Sequence, residues 1–398
     1  MNQGLLSRLT TTGLAVFSMF FGAGNLIFVV NLGKQYQSQT SLALAGFILT
    51  AVCLPVLGVI GISLFDGNTE RFFARAGKHT GAAMCAMALV VIGPLIAMPR
   101  IVTLSYTMLT PYISTISLPA FTAMFLLLTC ACCMSKKGIL DLLGHWISPA
   151  LLLGLLVLFV TGFNHAGAAK PSTLPATRIL AKTAAYGYNT LDFLASLYFG
   201  SVVMSILRKN APPGATRAWV NRLGLWGSCL GLGLLGLVYA GLAWLGAKTT
   251  HPTDILNEGE VLGDISRQLL GHWGGLVFAT VVVTACLSTI IALAALSADY
   301  LKHNVFHNHM RYGTALVIAL VVTAVLSNLG LSTILRLSWP ILAVIYPAII
   351  ALVLVNILYK TTGFQPVKPI VLTVLAVSVY AQWNQLADLV QAIKTLAS

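Results

Sequence analysis

Phe20-Phe21-Gly22-Ala23-Gly24-Asn25 stands in the middle of the chain's first apolar run, which starts near Thr10, continues through Phe28 and stops at Asn31 to Gln35. Two glycines around an alanine, followed by asparagine, weaken a helix there, because glycine admits backbone conformations that other residues resist. An unwound stretch frees carbonyls and amides. At membrane depth such groups are tolerated only beside protein or a water-filled cavity. They can then hold a cation through carbonyls and a carboxylate through amides. Taken alone, Gly-x-Gly reads first as a close-packing surface between helices. The rest of the chain decides between the two readings.

The solvent for most of this chain is lipid. Of 398 residues, 58% are hydrophobic and 8% charged, against roughly 25% charged in soluble domains. Mean hydropathy is +0.89. Eleven apolar runs are predicted as spanning helices, at about 10–33, 41–65, 82–108, 118–134, 146–163, 186–207, 219–246, 272–298, 312–328, 332–357 and 367–383. Each suits a hydrocarbon core about 30 Å thick. The tail from Ala381 to Ser398 either lies on the surface or adds an imperfect twelfth element. The runs are continuous, which excludes the alternating ten-residue segments of a β-barrel. The first run is read as a spanning helix that also directs insertion, with no cleaved signal peptide.

A net charge of +13 invites a nucleic-acid reading, but the bases fall in short gaps between apolar runs and form no separate basic domain. Counted loop by loop, they favour a cytoplasmic N-terminus two to one. The inner set is Arg8, Arg71, Arg75, Lys78, Lys136, Lys137, Arg208, Lys209, Arg217, Arg222, Lys302, Arg311, Lys360 and Lys368. The outer set is Lys34, Lys170, Arg178, Lys182, Lys248, Arg267 and Arg336. The loop at 164–185 carries three of these outer bases, against the trend. Loop 247–271 holds Asp254, Glu258, Glu260 and Asp264 and reads as an external surface segment.

The sixth run holds a second irregularity, Tyr186-Gly187-Tyr188-Asn189-Thr190-Leu191-Asp192-Phe193-Leu194-Ala195-Ser196. A carboxylate at mid-membrane costs about 2.5–3.5 kcal/mol on the insertion scale. Asp192 therefore binds a cation or proton, or fixes a helix junction, or lies nearer the interface with no special role. Helices one and six are five apart, and interruptions at corresponding places in two halves point to inverted repeats. The predicted organisation is a single domain over 1–398. One five-helix repeat spans 10–163, a second spans 186–357, and a C-terminal helix and tail cover 358–398. That pairing strengthens the functional reading of both interruptions.

Other polar features are ambiguous. Thr284-Ala285-Cys286-Leu287-Ser288-Thr289 in helix eight offers two hydroxyls to a hard cation, though such hydroxyls usually bond to carbonyls one turn back. Helix three carries Gly93-Pro94 and Pro99-Arg100, and Arg100 either snorkels outward or pairs inside the bundle, the latter preferred. Ser338-Trp339-Pro340 and Tyr346-Pro347 read as kinks. His303, His307 and His309 fit a solvated loop better than a metal site. His145, His251 and His272 sit at loop edges. The seven cysteines all lie in apolar runs and read as small buried hydrophobes. No nucleotide motif and no catalytic constellation is evident, so no enzyme activity is expected.

From Phe20 through Phe28 the sequence resembles the branched-chain amino acid:cation symporters, the LIVCS or BrnQ-type family. Gly93-Pro94…Pro99-Arg100…Ser105-Tyr106, Gly187-Tyr188…Asp192…Phe199-Gly200 and Cys286-Leu287-Ser288-Thr289 look like that family in the same order. The resemblance implies an all-α integral membrane protein with a LeuT-like 5+5 inverted repeat, in which helices 1 and 6 are discontinuous. It implies uptake of leucine, isoleucine and valine across a cell inner membrane, coupled to Na⁺ or H⁺ and needing no other cofactor. Methionine or another apolar amino acid is the alternative substrate, and a channel the more distant reading.

Carried over by residue, the resemblance implies a Na⁺ among carbonyls near Ser18, Phe21 and Ala285 and the hydroxyls of Ser288 and Thr289. Amides near Ala23, Gly24 and Asn25 are implied for the substrate carboxylate, with Tyr106 at the same end. The helix-six interruption, placed within Asp192 to Ser196 and including Phe193, is implied for the ammonium and the apolar wall. Two positions depart from the family pattern. Val29-Val30 replaces a proline-containing stretch, and Thr107 stands where many relatives carry an acidic residue.

Overall fold

In lipid a backbone must satisfy its own polar groups, and long apolar runs do so as helices. The computed structural model describes residues 2–113, 115–134, 152–163, 175–212, 214–249, 258–388 and 391. Among these residues the regular structure is helical throughout, and every predicted run contains a helix. Lys136, Lys137, His145, the stretch 146–151, Lys170, His251, Asp254 and most of the tail beyond Asp388 lie outside the described residues.

The first run divides into α1 (Asn2–Phe20) and α2 (Ala23–Tyr36). The second comprises α3 (Thr40–Ile48), a π-turn at Leu49–Cys53 and α4 (Leu54–Ser63), followed by short α5 (Thr69–Phe73). The third holds α6 (Lys78–Val90) and α7 (Ala97–Leu109), separated where Gly93 leaves helical geometry ahead of Pro94. Then come α8 (Leu118–Met134), α9 (Leu152–Phe163), α10 (Ala176–Tyr186), α11 (Asp192–Lys209) and α12 (Arg217–Lys248). The chain continues through α13 (Glu258–Tyr300), α14 (Tyr312–Ser327), α15 (Leu331–Thr362) and α16 (Val367–Ala381). Among the described residues five stretches are long and apolar enough to cross a membrane, and α10 with α11, bent by 45°, make a sixth. Leu127, Phe163, Leu237 and Val325 are exposed on the outside of the bundle, where only lipid suits them.

Three boundaries differ from the sequence reading. Helix six begins at Ala176, not 186, so Arg178 and Lys182 belong to a helix and not to a loop. Its interruption lies at 187–191, one turn before the predicted Asp192 to Ser196. The segment before helix eight is itself helical over 258–270 and turns at Gly271, whose φ of 70° suits glycine. Val261, Leu262 and Ile265 of this piece are buried, and Gly259 packs on Leu104, Thr107 and Leu331. Pro340 and Pro347, read as kink signals, are carried inside the single continuous helix α15.

The unbroken α12 splints both halves of helix one. A Cβ on Gly231 would strike the Gly13 carbonyl of α1, and one on Gly246 would strike the Val30 carbonyl of α2. These small residues let the backbones touch, as membrane helix pairs require.

Candidate functional site

Helix one opens at Phe21 and Gly22, with Gly22 extended at φ −91° and ψ 144°. Its loose groups are taken up locally. The Phe20 carbonyl accepts from the Gly22 amide at 2.8 Å and from Asn25 Nδ2 at 3.2 Å. Ala23 and Gly24 form the first turn of α2, where helical amides have no partner within the helix.

Helix six opens differently. A 3₁₀ turn at Gly187–Thr190 leads into Leu191, held left-handed at φ 64°, and α11 restarts at Asp192. A left-handed leucine costs of order 1–3 kcal/mol and persists only where its surroundings impose it. Here they do. The Thr190 hydroxyl accepts from the Asp192 amide at 3.3 Å, and the Thr50 hydroxyl donates to the Ala184 carbonyl at 2.7 Å. Arg100 donates to the Asn189 carbonyl at 2.6 Å. Gly187 lies so close to Thr50 that a Cβ would collide with its hydroxyl.

The two openings face each other. Asn25 Nδ2 donates to both oxygens of Asp192, at 2.8 and 2.9 Å, and the Tyr239 hydroxyl of α12 donates to Oδ2 at 3.0 Å. Asp192 is only 4% exposed. As the first residue of α11 beside the first turn of α2, it lies at the positive ends of two helices. That field and three hydrogen bonds accommodate a carboxylate where lipid alone would not.

Around this junction is a cavity of about 50 Å³, several times the roughly 10–15 Å³ that one water needs. Its polar lining includes Asn25, Arg100, Thr190, Asp192 and Thr289. Its apolar lining includes Met19, Phe20, Ile92, Ile101, Leu191, Ala195, Phe199 and Leu293. Phe20 and Phe199 meet edge to face at 5.3 Å across it. A larger cavity of about 420 Å³ lies among Asp66, Arg71, Arg208 and Arg217. Its Arg208–Asp66 pair, 3.1 Å apart, is well exposed, so we read this second space as a solvated cleft.

Among the residues proposed for cation, Ser288 Oγ and Thr289 Oγ1 both donate to the Ala285 carbonyl, at 2.8 and 3.1 Å. This is the back-bonding that the hydroxyl pair suggested. The same Thr289 also touches the helix-one opening, since a Cβ on Gly22 would lie 3.5 Å from its Oγ1. Ser18 lies in the last turn of α1, and Phe21 in the opening.

Three residues expected at the site lie away from this cavity. Tyr106 is absent from the cavity lining; its hydroxyl donates to the Ile116 carbonyl at 3.0 Å and its ring lies against Phe121. Phe193 turns its ring to Tyr346 at 5.6 Å. Ser196 donates to the Phe193 carbonyl and abuts Gly58 of α4. The cavity face of α11 is instead Asp192, Ala195 and Phe199.

Arg100 and Tyr239 were not among the predicted site residues. Arg100 is 3% exposed, with its guanidinium 5.0 Å from the Phe28 ring centroid. It pairs inside the bundle, with a carbonyl and a ring face. A charge within an apolar run was its signal.

The model of the branched-chain amino acid transport protein family matches residues 6–398. The chain belongs to this family. Members of the branched-chain amino acid transport family are transporters, not enzymes, and this one is a multi-pass membrane protein. The BrnQ branched-chain amino acid permease of Escherichia coli K12 is 30% identical over 89% of this chain and 82% of its own length. The system 3 carrier protein for branched-chain amino acids of Pseudomonas aeruginosa is 31% identical over 86% and 78%. Among solved structures, inward-facing Mhp1 superposes with a TM-score of 0.61 at 13% identity, covering 97% of this chain and 91% of that one. MhsT in complex with L-phenylalanine gives 0.54 at 15%, over 94% and 96%. These likenesses place the family member in the LeuT fold.

Proposed function

We propose that this protein imports leucine, isoleucine and valine together with Na⁺ or H⁺, by alternating access around the cavity between helices one and six. The observation that carries the reading is the Asn25–Asp192 contact, which brings two interrupted helices together beside an apolar-walled cavity. The family and the named permeases support the substrate class. In this reading the first-turn amides of Ala23 and Gly24 face the substrate carboxylate, and Asp192 the ammonium. Met19, Phe20, Ala195 and Phe199 contact the side chain. The coupling cation sits among carbonyls near Ser18 and Phe21, the Ala285 carbonyl, and the hydroxyls of Ser288 and Thr289.

The finer architecture belongs to the same proposal. It has eleven or twelve spans, with repeats over 10–163 and, from the corrected start of helix six, Ala176 to 357. The N-terminus is cytoplasmic and the membrane is the inner one. Cation binding favours the outward-open state and raises substrate affinity, and linkage requires the reverse effect to be equal. An apolar wall separates leucine from valine weakly, since one methylene is worth about 1–3 kcal/mol. The test is uptake of labelled leucine into proteoliposomes under Na⁺ and H⁺ gradients imposed separately. One gradient should drive accumulation. Uptake indifferent to both would remove the symport reading.

A further inference from the structure

We propose that the solvated cleft between α5, α11 and α12 binds a phosphate group, presented by an anionic phospholipid of the surrounding membrane. This site is separate from the cavity between helices one and six and does not depend on what is transported.

Three guanidiniums line the cleft, those of Arg71 in α5, Arg208 at the end of α11 and Arg217 at the start of α12, around a volume of about 420 Å³. Asp66 is the one carboxylate in the lining, and it is paired with Arg208 at 3.1 Å. Glu70, the neighbour of Arg71, instead accepts from Asn304 Nδ2 at 2.7 Å. Among the described residues the side chains of Arg71 and Arg217 make no hydrogen bond, ion pair or ring contact. Two of the three cations are therefore uncompensated by protein.

Like charges gathered in one cleft repel, and an anion between them reverses the sign of that energy. Phosphate suits the geometry, because planar guanidinium forks grip its oxygens in pairs. Arg217 is also the first residue of the 32-residue α12, beside the positive end of that helix. The volume holds a phosphate and several waters, at roughly 10–15 Å³ for each water.

The surroundings favour a lipid over a free ion. Trp219 lies two residues past Arg217, with the Arg8 guanidinium 5.9 Å from its ring centroid. A tryptophan so placed marks the headgroup level of a membrane. Val202 and Ile206 of α11 and Trp226 of α12 are exposed farther along the same helices. They lie within about three turns of Arg208 and Arg217, inside the roughly 15 Å of hydrocarbon in one leaflet. A phosphate in the cleft thus leaves its acyl chains beside apolar protein surface.

The test follows the melting temperature of the full chain in neutral detergent as dioctanoyl phosphatidylglycerol is added. Dioctanoyl phosphatidylcholine, glycerophosphoglycerol and inorganic phosphate form the other arms. Phosphatidylglycerol should stabilise saturably, at a concentration at least about tenfold below the other three. Arg71→Gln and Arg217→Gln should each raise its half-saturation about fivefold, and together about twenty-five-fold. The melting temperature without lipid should not move, since neither side chain holds another part of the protein. Asp66→Asn keeps a residue type that accepts the left-handed φ of 58°. It removes the competing charge and frees Arg208, so half-saturation should fall about fivefold. Arg311→Gln removes a base outside the lining and should change half-saturation by less than about twofold. Equal losses from Arg311→Gln and Arg71→Gln would reduce the effect to general surface charge and overturn the cleft. Inorganic phosphate as potent as phosphatidylglycerol would overturn the lipid as its source.

Discussion

Asn25 and Asp192 lie 167 positions apart, yet one amide nitrogen of Asn25 contacts both carboxylate oxygens of Asp192, at 2.8 and 2.9 Å. The contact joins the start of α2 to the start of α11, each the first turn after an interruption. Tyr239 completes the arrangement from α12, the same helix that splints α1 and α2. One carboxylate thus ties together three helices, α2, α11 and α12.

Replacing Asp192 by Asn keeps an oxygen for Asn25 and Tyr239 but removes the charge. Leucine transport should fall by about 2 kcal/mol in binding, roughly thirtyfold, while the protein stays monodisperse in detergent. Uptake kinetics beside a thermal melt separate the two effects. Full activity would show that the charge has no part in binding.

The glycines of α12 make a steric prediction. Gly246→Val sets a side chain against the Val30 carbonyl, and Gly231→Val one against the Gly13 carbonyl. Overpacking typically costs about 1–3 kcal/mol, and a backbone obstacle cannot rotate aside. Both variants should lose folded yield by size-exclusion chromatography. Gly233→Ala, which meets nothing within 4 Å, should be tolerated.

Ser288→Ala combined with Thr289→Ala removes the two hydroxyls that share the Ala285 carbonyl. The cation concentration for half-maximal uptake should rise by about tenfold or more, with the order among leucine, isoleucine and valine little changed. Unaltered cation activation would place the coupling ion elsewhere.

Tyr106→Phe tests the role of a hydroxyl that lies away from the cavity. The lost hydroxyl served the Ile116 carbonyl, so stability should drop by about 1 kcal/mol with leucine affinity unchanged. A large loss of affinity would place Tyr106 in the binding site.

The interruption in helix one was legible because Gly22, Ala23, Gly24 and Asn25 break an otherwise uniform apolar run. Asp192 stood out for the same reason. The beginning of helix six was obscured by Arg178 and Lys182, which depress the apolar count of α10. Both are exposed on one face while Ile179 and Thr183 are buried on another, four residues apart. Helical rotation turns Phe193 and Ser196 away from the cavity. They share a face three residues apart, as Asp192, Ala195 and Phe199 share another, and both faces are buried. Spacing groups the residues, but only packing against α4 and α15 decides which group meets the cavity. Tyr239 was unreadable as a site residue because its run is rich in leucine, glycine and alanine with no charged neighbour, and its partner lies on another helix.

Leucine is proposed to occupy the space between the two interrupted helices. Ala195 lines that space from α11 and is small enough to carry a reporter. In Ala195→Cys, the alkylation rate of the introduced thiol by a small maleimide, read by mass spectrometry, should fall at least about fivefold when saturating leucine is added. Non-substrate glutamate should have no such effect. Alkylation at the same rate with and without leucine, in protein that still transports it, would contradict the account.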